Sequence, residues 1–493
     1  MKQPDILIFM TDQHTPYYSG WYGNNVDTPN LDALVQEGTA FDEAYTSCPL
    51  CVPSRVSMLS GKRPANTGVF TLTDALPDMT PTFLHHLVLQ GYETVLVGRM
   101  HFIGFDQRHG FTKRIAPDCT TITWNRQDMT DVRGVYEPAY GGYQMTNIVG
   151  GGDNNASYYD QYVVDKALEY LSQDHDKPQC ICVSVYSPHH PYVGPKHLYD
   201  KYLQKVQIPE SYYDEVEPDA WKNKQKKEVS PALAKEILAS YCAMVEETDG
   251  RIGAVRKAFN EFCKRRNTEN MFVYISDHGD TAGDRNSYGK STFYEKSVKI
   301  PLVFSGTNIQ ANHRVHKPVS IMDLGPTILD YVHARPMHNI DGVSLMPALY
   351  GDDLEHLPVY AEYLSGIKLD QYAFMVKENQ YKYCCFSSED TELLYDTVTD
   401  PQEKHNIIHT NQEMADHMRS LATKLRMDDQ SIQLNQEHMQ NLELWKAYEK
   451  AVESKYDKEN RFQGPVPQSY KDYPEELSEN VTHLGKPDWL KNR

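Results

Sequence analysis

Short apolar segments alternate with amphipathic segments along residues 1–350 of the chain. The apolar segments are rich in valine, isoleucine and aromatic residues, and polar residues do not occupy every second position. This pattern is typical of strands that are buried on both faces of a sheet. We therefore predict strands at residues 6–10, 94–97, 180–186, 271–276 and 302–304.

The amphipathic segments between these strands predict helices. In the segment TPNLDALVQEG, residues 28–38, Thr28 can cap a helix, Pro29 suits its first turn and Gly38 marks its end. Further helices are predicted at about 231–262 and from about residue 323. Strands that alternate with helices predict an α/β fold with a large, mostly parallel sheet sandwiched by helices.

The pattern changes near residue 355. Three segments predict antiparallel strands joined by polar turns, and a helix follows at about 411–426. We therefore predict a main α/β domain at residues 1–354 and a small α+β domain, an antiparallel sheet plus a helix, at residues 355–427. For the remaining residues, 428–493, we predict a helical and extended arm that packs on its own chain or on a neighbouring copy.

Composition narrows the class of protein. The chain has 493 residues, of which 40% are hydrophobic, so it can bury a large core. No apolar stretch approaches the roughly 18 residues that cross a membrane, and the apolar run at residues 6–10 is too short for a signal peptide. The nine cysteines are an odd count and several lie in strand-like segments, which favours reduced thiols. We expect a cytoplasmic protein without a membrane partner.

The net charge of −19, from 49 basic and 68 acidic residues, argues against nucleic acid as a partner. It does not exclude a small anionic substrate, because charges are screened over about 8 Å at physiological salt. A few cations in contact with such a substrate therefore outweigh a distant acidic surface.

Reactive side chains follow four of the predicted strands. In an open α/β sheet, ligands bind beyond the carboxyl ends of the strands, so these side chains are expected to meet at one edge. Carboxylates with a neighbouring imidazole suit a hard divalent cation such as calcium, magnesium or manganese. The residues are Asp12, His14, Arg99, His101, His189, His190, Asp277 and His278.

Two cysteines have C-x-x-C spacing in CPLCVPSR, residues 48–55. A zinc site would need a second pair at ligand spacing, and the sequence has none, whereas a redox dithiol stays an open alternative. Apolar residues before Gly61 predict a helix that begins near Cys51, where backbone N–H groups favour an anion, with Arg55 one turn further on.

Six motifs in chain order resemble those of the type I sulfatases of the alkaline phosphatase superfamily. Together they extend over nearly the whole chain, and they imply an alkaline phosphatase-like fold. The motifs are ILIFMTDQ, CVPSRVSMLSGKRP, GRMH, SPHHP, SDHGD with the following YGKSTFYE, and LLYDTVTDPQEKHNI.

The resemblance implies that a separate maturing enzyme, aerobic or anaerobic, oxidises Cys51 to formylglycine, the nucleophile. One hydroxyl of the hydrated aldehyde would attack sulfur, and the other would lose its proton so that sulfate is expelled. It also implies one divalent cation, calcium with magnesium or manganese as alternatives, held by Asp12, Gln13, Cys51, Asp277 and His278.

The remaining residues would bind the substrate. Arg55 would hold the formylglycine hydrate, and either His189 or Lys290 would protonate the departing alcohol. Those that would surround the sulfate are Arg99, His101, His189 and Lys290.

Two departures point to one branch of the family. Gln13 stands where many members have a second aspartate, and His278 stands where many have asparagine. This combination resembles choline sulfatases and phosphonate monoester hydrolases, a branch that tends to oligomerise, which gives the arm a possible role in a homo-oligomer. Arg99 and Met100 replace the lysine and tryptophan of the family's G-K-W-H motif.

Three functions follow as hypotheses. The first is a sulfuric ester hydrolase acting on a small sulfated substrate, whose leaving group is recognised in part by the tyrosine-rich segment 134–159. The second is a phosphonate monoester or phosphodiester hydrolase that uses the same site. The third belongs to another class, a thiol redox or binding protein that uses Cys48 and Cys51.

Overall fold

The computed structural model describes most of the main and small domains. The described residues are 2–120, 146, 149–152, 154–216, 229–355, 357–364, 372–387, 391–426, 433, 436–437, 440–441, 443–448 and 481–482. Most of the predicted arm and much of the tyrosine-rich segment 134–159 lie outside these residues.

The strands in the described part of the chain are β1 Asp5–Thr11, β2 Gly38–Phe41, β3 Ala44–Tyr45, β4 Glu93–Gly98, β5 Lys113–Ala116, β6 Val149–Gly151, β7 Gln179–Ser184, β8 Tyr192–Gly194, β9 Asn270–Ser276, β10 Leu302–Gly306, β11 His313–Val315, β12 Val319–Ser320, β13 Val359–Leu364, β14 Tyr372–Glu378, β15 Tyr381–Phe386, β16 Thr391–Asp396 and β17 Val481–Thr482. The α-helices are α1 Pro29–Gln36, α2 Cys51–Ser60, α3 Pro64–Thr67, α4 Phe83–Leu89, α5 Asn155–Leu171, α6 Lys196–Lys205, α7 Pro231–Arg266, α8 Glu295–Val298, α9 Leu324–Tyr331, α10 Met346–Leu349 and α11 Gln412–Leu425. Short 3₁₀ turns lie at Pro16–Tyr18, Gly20–Tyr22, Glu210–Tyr213, Asp284–Asn286 and Ile321–Asp323.

Eight strands form the main sheet in the order β11-β2-β10-β9-β1-β7-β4-β5. Each pair from β9 to β5 is parallel, and among these eight strands β10 alone runs in the opposite direction. The mostly parallel sheet is therefore confirmed. The reversed direction of β10 was not predicted, because burial on both faces indicates a strand but carries no information on its direction.

The main sheet has a hydrophobic core on each face. On β1, Ile6, Ile8 and Met10 point to one face, and Leu7 and Phe9 point to the other. Helices α2, α4 and α9 pack on the first face, and α1, α5 and α7 pack on the second. This sandwich explains why the strands lack polar residues at alternate positions.

Strands β13 to β16 form a separate antiparallel sheet in chain order. Phe374 and other side chains on one face pack against Met418 of α11, while Met375 on the other face belongs to a cluster with Tyr45 and Phe293 of the main domain. The predicted small sheet and helix are thus confirmed. The domain boundaries at residues 354 and 427 stay a prediction.

The start of α1 corrects a local prediction. Thr28 occupies the N-cap position, but its hydroxyl accepts a hydrogen bond from Gly20 N (2.8 Å) and donates one to Asp32 Oδ1 (3.1 Å), so the predicted side-chain cap is wrong. The helix ends at Gln36, and Gly38 begins β2 instead. A cap depends on where the neighbouring loop places its own donors, which residue type does not reveal.

The described part of the predicted arm touches the main domain. The ring of Trp445 lies 6.1 Å from that of Phe105, measured between centroids. Contact with a neighbouring copy stays a prediction. Within the described ranges, no helix combines the length and apolar character that a membrane crossing requires.

Candidate active site

The four strands β9, β1, β7 and β4 are adjacent in the sheet and run in the same direction. Asp277, Asp12 and Arg99 directly follow β9, β1 and β4, and His189 lies in the loop after β7. All four side chains are buried. The convergence predicted from the strand ends is therefore present, at what we call the carboxyl edge of the sheet.

Helix α2 brings Cys51 to the same edge. Cys51 is the first residue of the helix, and Gly61 ends it with a positive φ of 65°, a conformation that glycine adopts without strain. The Sγ atom of Cys51 lies 3.1 Å from Lys290 Nζ, 3.2 Å from His278 Nε2 and 3.6 Å from Asp12 Oδ1. The cysteine is 1% exposed, so these contacts are made away from solvent.

Arg55, one turn further along α2, holds the two carboxylates. Its Nε donates to Asp277 Oδ2 (2.8 Å) and its Nη2 donates to Asp12 Oδ2 (3.0 Å). Its Nη1 donates to the carbonyl oxygen of Arg99 (3.0 Å) and to Ser184 Oγ (3.1 Å). The guanidinium fork thereby occupies one oxygen of each aspartate. Both Oδ1 atoms face His278 Nε2, at 3.7 Å from Asp12 and 3.6 Å from Asp277, and Asp277 Oδ1 also accepts from the backbone N atoms of Gln13 and His278.

Asp12, Cys51, Asp277 and His278 each offer a ligand atom, and these four atoms lie within 4.8 Å of one another. His278 Nδ1 is 3.0 Å from the carbonyl oxygen of Gly279, which leaves Nε2 facing the cluster. Burial lowers the pKa of His278 to about 4, so the ring is neutral and Nε2 keeps its lone pair. Two carboxylate oxygens and a neutral imidazole fit a divalent cation.

Asp12 is surrounded by cationic side chains. Burial alone would raise the pKa of its carboxyl, but the surrounding cations, Arg99 foremost, hold the pKa well below its usual range. Its Oδ2 accepts from both Arg55 and Arg99. Asp12 is therefore a carboxylate at every physiological pH.

The guanidinium of Arg99 contacts side chains from several neighbouring elements. Its Nη1 donates to Asp12 Oδ2, its Nη2 is 2.7 Å from His101 Nδ1, and its guanidinium lies 5.1 Å from the centre of the Tyr186 ring. Asp118 Oδ1 lies 4.0 Å from its Nε, and Asp118 Oδ2 accepts from the backbone N of His101 (2.7 Å). His101 is therefore next to Arg99, and Asp118 is a site neighbour that the sequence analysis missed.

His189 and Lys290 both lie near Asp12, and Lys290 Nζ, 3.9 Å from Asp12 Oδ1, also contacts Cys51 Sγ. His189 Nδ1 lies 2.8 Å from the carbonyl oxygen of His190, and its Nε2 is 4.0 Å from Asp12 Oδ1. Burial, above all, lowers the pKa of His189 well below its usual value. The roles of both residues, and the choice between them as general acid, stay predictions.

Gln13 connects the site to an aspartate that the sequence analysis did not single out. Gln13 Nε2 donates to Asp280 Oδ2 (2.6 Å), and Gln13 Oε1 accepts from Lys290 Nζ (2.9 Å). Asp280 also accepts from Tyr192 Oη (2.8 Å) and from Gly289 N (2.9 Å). Asp280 is the last letter of SDHGD, which was the available signal. A role of Gln13 as metal ligand stays a prediction.

Two further side chains near the site belong to the surrounding structure. His14 makes hydrogen-bond contacts with Tyr274 Oη (2.5 Å) and Ser19 Oγ (3.1 Å), and burial lowers its pKa to about 3. Cys48 belongs to the cluster that joins the main domain to the small sheet. The described contacts of these two residues do not include the ligand atoms of Asp12, Cys51, Asp277 and His278.

A family model described as Sulfatase matches residues 4–334, more than half of the chain. The chain belongs to the sulfatase family. It is therefore an enzyme, a sulfuric ester hydrolase. A second model, described as N-sulphoglucosamine sulphohydrolase, C-terminal, matches residues 283–431 of this sulfatase.

Relatives and solved structures agree with this family. The sulfatase is 30% identical over 435 residues to a protein named choline-sulfatase from Rhizobium meliloti (strain 1021), with 82% of each chain covered. It is 26% identical to an arylsulfatase from Clostridium perfringens (strain 13 / Type A), covering 86% of this chain and 94% of the other. The crystal structure of the phosphonate monoester hydrolase of Agrobacterium radiobacter has the same fold, with a TM-score of 0.70, 19% identity and coverage of 87% and 96%.

Membership in the sulfatase family argues against the hypothesis of a thiol redox protein. The two thiols also differ from those of redox dithiols, which have lowered pKa values. Burial raises the pKa of Cys51 to about 11 and that of Cys48 well above its usual value. Both are free thiols in the structure.

Proposed function

We propose that this sulfatase cleaves a small sulfate monoester with position 51, in its formylglycine form, as nucleophile beside one divalent cation. The contacts of Cys51 Sγ with Asp12, His278 and Lys290 carry the proposal. Sulfatases of this family generally use a divalent metal and formylglycine, and the candidate ligand cluster includes Cys51. We further propose that a separate maturing enzyme carries out the oxidation.

The charged residues of the site would bind and orient the sulfate. Arg55, whose guanidinium donates to Asp12 and Asp277, would hold the formylglycine hydrate. Arg99 and Lys290 supply two cationic groups around the sulfate, and at 4 Å with an effective dielectric of 20 each attracts a unit negative charge by about 4 kcal/mol before desolvation costs. Their burial excludes water, which would otherwise screen them. The bound cation would lower the pKa of a coordinated hydroxyl and offset charge on the sulfuryl oxygens.

Calcium is the ion we propose, because two carboxylates are hard oxygen ligands, with magnesium and manganese as alternatives. Removal of metal with EDTA is expected to lower kcat by about 10²-fold or more, and calcium is expected to restore it. Elemental analysis of the purified protein should find one ion per chain.

Variants decide whether the cluster holds that ion. Asp277→Asn removes a carboxylate of the cluster and should reduce the metal content. Asp323→Asn is the control, since Asp323 is also buried but accepts from the backbone N atoms of Ser320 and Val343. Full metal content in the Asp277 variant would contradict the assignment.

The type of ester is tested by direct comparison of two substrates with the same leaving group. We expect kcat/KM for an aryl sulfate to exceed that for the matching aryl phosphonate by at least about tenfold, a difference of about 1.4 kcal/mol in transition-state binding. A preference for the phosphonate would favour the second hypothesis instead. Choline sulfate belongs in the same panel because of the relative named choline-sulfatase.

We also propose a cytoplasmic location and a homo-oligomer that uses the arm. Nine free thiols support a reducing compartment. The exposed apolar side chains of Leu444, Trp445 and Tyr448 support a contact with another copy. Light scattering of the full chain tests the oligomer, and a strictly monomeric protein would contradict it.

A further inference from the structure

Lys290 lies on a segment between β9 and β10 that we call the lysine segment, residues 284–298. Three of its non-glycine residues, Arg285, Asn286 and Ser291, have φ angles of 50°, 49° and 79°. This left-handed region is unfavourable for residues with a side chain and persists only where neighbouring contacts impose it. The position of Lys290 therefore depends on what holds the segment.

A buried lysine of the small sheet holds the segment after Lys290. Lys382 Nζ, on β15, donates to the carbonyl oxygen of Phe293 (2.8 Å) and to Glu295 Oε1 (2.9 Å), and it forms an ion pair with Glu403. Glu403 Oε2 in turn accepts from the backbone N of Glu295 (2.8 Å). Side chains of the small domain thus bind both the main chain and a side chain of the lysine segment.

The segment is also held before Lys290. The Nη2 of Arg285 donates to the carbonyl oxygens of Gln402 (2.7 Å) and Glu403 (2.8 Å), and its guanidinium lies 3.9 Å from the centre of the Tyr294 ring. Both flanks of Lys290 are therefore attached to the small domain. Between them, Lys290 Nζ reaches Cys51 Sγ at 3.1 Å.

Burial separates this cluster from an ordinary surface ion pair. Lys382 is 0% exposed, Glu295 is 3% exposed and Glu403 is 4% exposed. Burial would raise the pKa of Glu295, but Lys299 and Lys382 hold it well below its usual range. Removal of one partner leaves an uncompensated buried charge, so this cluster has little freedom to rearrange while it is intact.

We propose that Lys382 is a positioning residue for Lys290, acting through Phe293 and Glu295 from a different domain. Through Lys382, the small C-terminal domain then affects the sulfatase reaction without contacting the substrate. The inference rests on the proposed function, in which Lys290 acts beside the formylglycine at position 51.

The test compares Lys382→Met with Lys377→Met. Lys377 is the cross-strand neighbour of Lys382 and is 1% exposed, so its charge also acts on Glu295. Its Nζ, however, donates to Thr397 Oγ1 (2.6 Å) and lies 3.9 Å from Glu43 Oε2, whereas Lys382 Nζ donates to Phe293 O and Glu295 Oε1 of the lysine segment. We expect Lys382→Met to lower kcat on an aryl sulfate by about 10- to 100-fold, as small displacements of catalytic groups do, and Lys377→Met to change it less than about twofold. Equal losses in both variants would overturn the proposal.

A double-mutant cycle separates positioning from general destabilisation. In a Lys290→Ala background, Lys382→Met should lower kcat by less than about twofold further, because the group it positions is gone. A full, multiplicative loss in that background would overturn the proposal. If Lys382→Met does not fold, Glu403→Gln replaces it in the same cycle. This substitution removes the charge that pairs with Lys382, while the amide oxygen still accepts from Glu295 N.

Hydrogen–deuterium exchange provides a readout without activity. Peptides from the lysine segment should exchange faster in Lys382→Met than in the wild type and in Lys377→Met. Unchanged exchange would overturn the anchoring. A wild-type protein that hydrolyses no sulfate ester would count against the proposed function, and in that case the exchange comparison alone decides whether Lys382 holds the segment.

Discussion

The Cys51→Ala variant is expected to lose sulfatase activity by at least about 10³-fold, because removal of a covalent nucleophile removes most of the catalysis. The reason lies in the position of Sγ, within 3.1 to 3.6 Å of Lys290, His278 and Asp12. Alanine is compatible with the first position of α2, so the fold should persist. The measurement is kcat/KM on an aryl sulfate.

Cys48→Ala is the matched control for this variant. Cys48 is also a buried free thiol, but it lies in the cluster between the two domains. It should retain activity within about threefold of the wild type, as a modest core substitution does. The mass of the tryptic peptide containing position 51 should be lower by about 18 Da than that of the cysteine form if oxidation has occurred. Equal activity of the two variants would exclude Cys51 as the source of the nucleophile.

Arg55→Met is expected to lower the free energy of unfolding of the metal-free protein by about 3 to 5 kcal/mol, because it leaves two buried carboxylates without their shared cation. Asp12 and Asp277 are both 0% exposed and each loses a hydrogen bond to the guanidinium. Denaturation in urea after EDTA treatment measures the change. A bound cation should reduce the effect by compensating the same carboxylates.

Arg419→Met is the control for that experiment. Arg419 binds Glu392 through a bidentate pair, but the two side chains are 32% and 31% exposed. Exposed pairs contribute about 1 kcal/mol or less, so this substitution should have a small effect. A loss in Arg55→Met no greater than in Arg419→Met would contradict the stabilising role of Arg55.

The strand ends explain why much of the site was predictable from the sequence. Asp12, Arg99 and Asp277 directly follow apolar segments, and parallel strands in one sheet deliver such residues to one edge. Cys51 and Lys290 lie on a helix and a loop, and their assignment needed the family motifs. The pattern of apolar and polar residues and the order of the motifs were together sufficient to predict the fold class.

Asp118 and Asp280 could not be identified in the same way. Each accepts hydrogen bonds that include backbone donors, such as His101 N and Gly289 N, whose positions depend on the turns of separate loops. The lysine of the small sheet, Lys382, is a similar case, because a charged residue in an alternating strand predicts an exposed side chain. Contacts between domains reverse that expectation.

The reversed direction of β10 has a consequence for how this enzyme can vary. Because β10 begins beside the end of β9, residues 277–301 leave the sheet and return to it on the same side, without a crossover to the far side. His278 and Lys290 are therefore carried by one continuous excursion. Insertions or deletions there would change the surroundings of Cys51 Sγ, which His278 and Lys290 contact, while leaving the strand order of the sheet untouched.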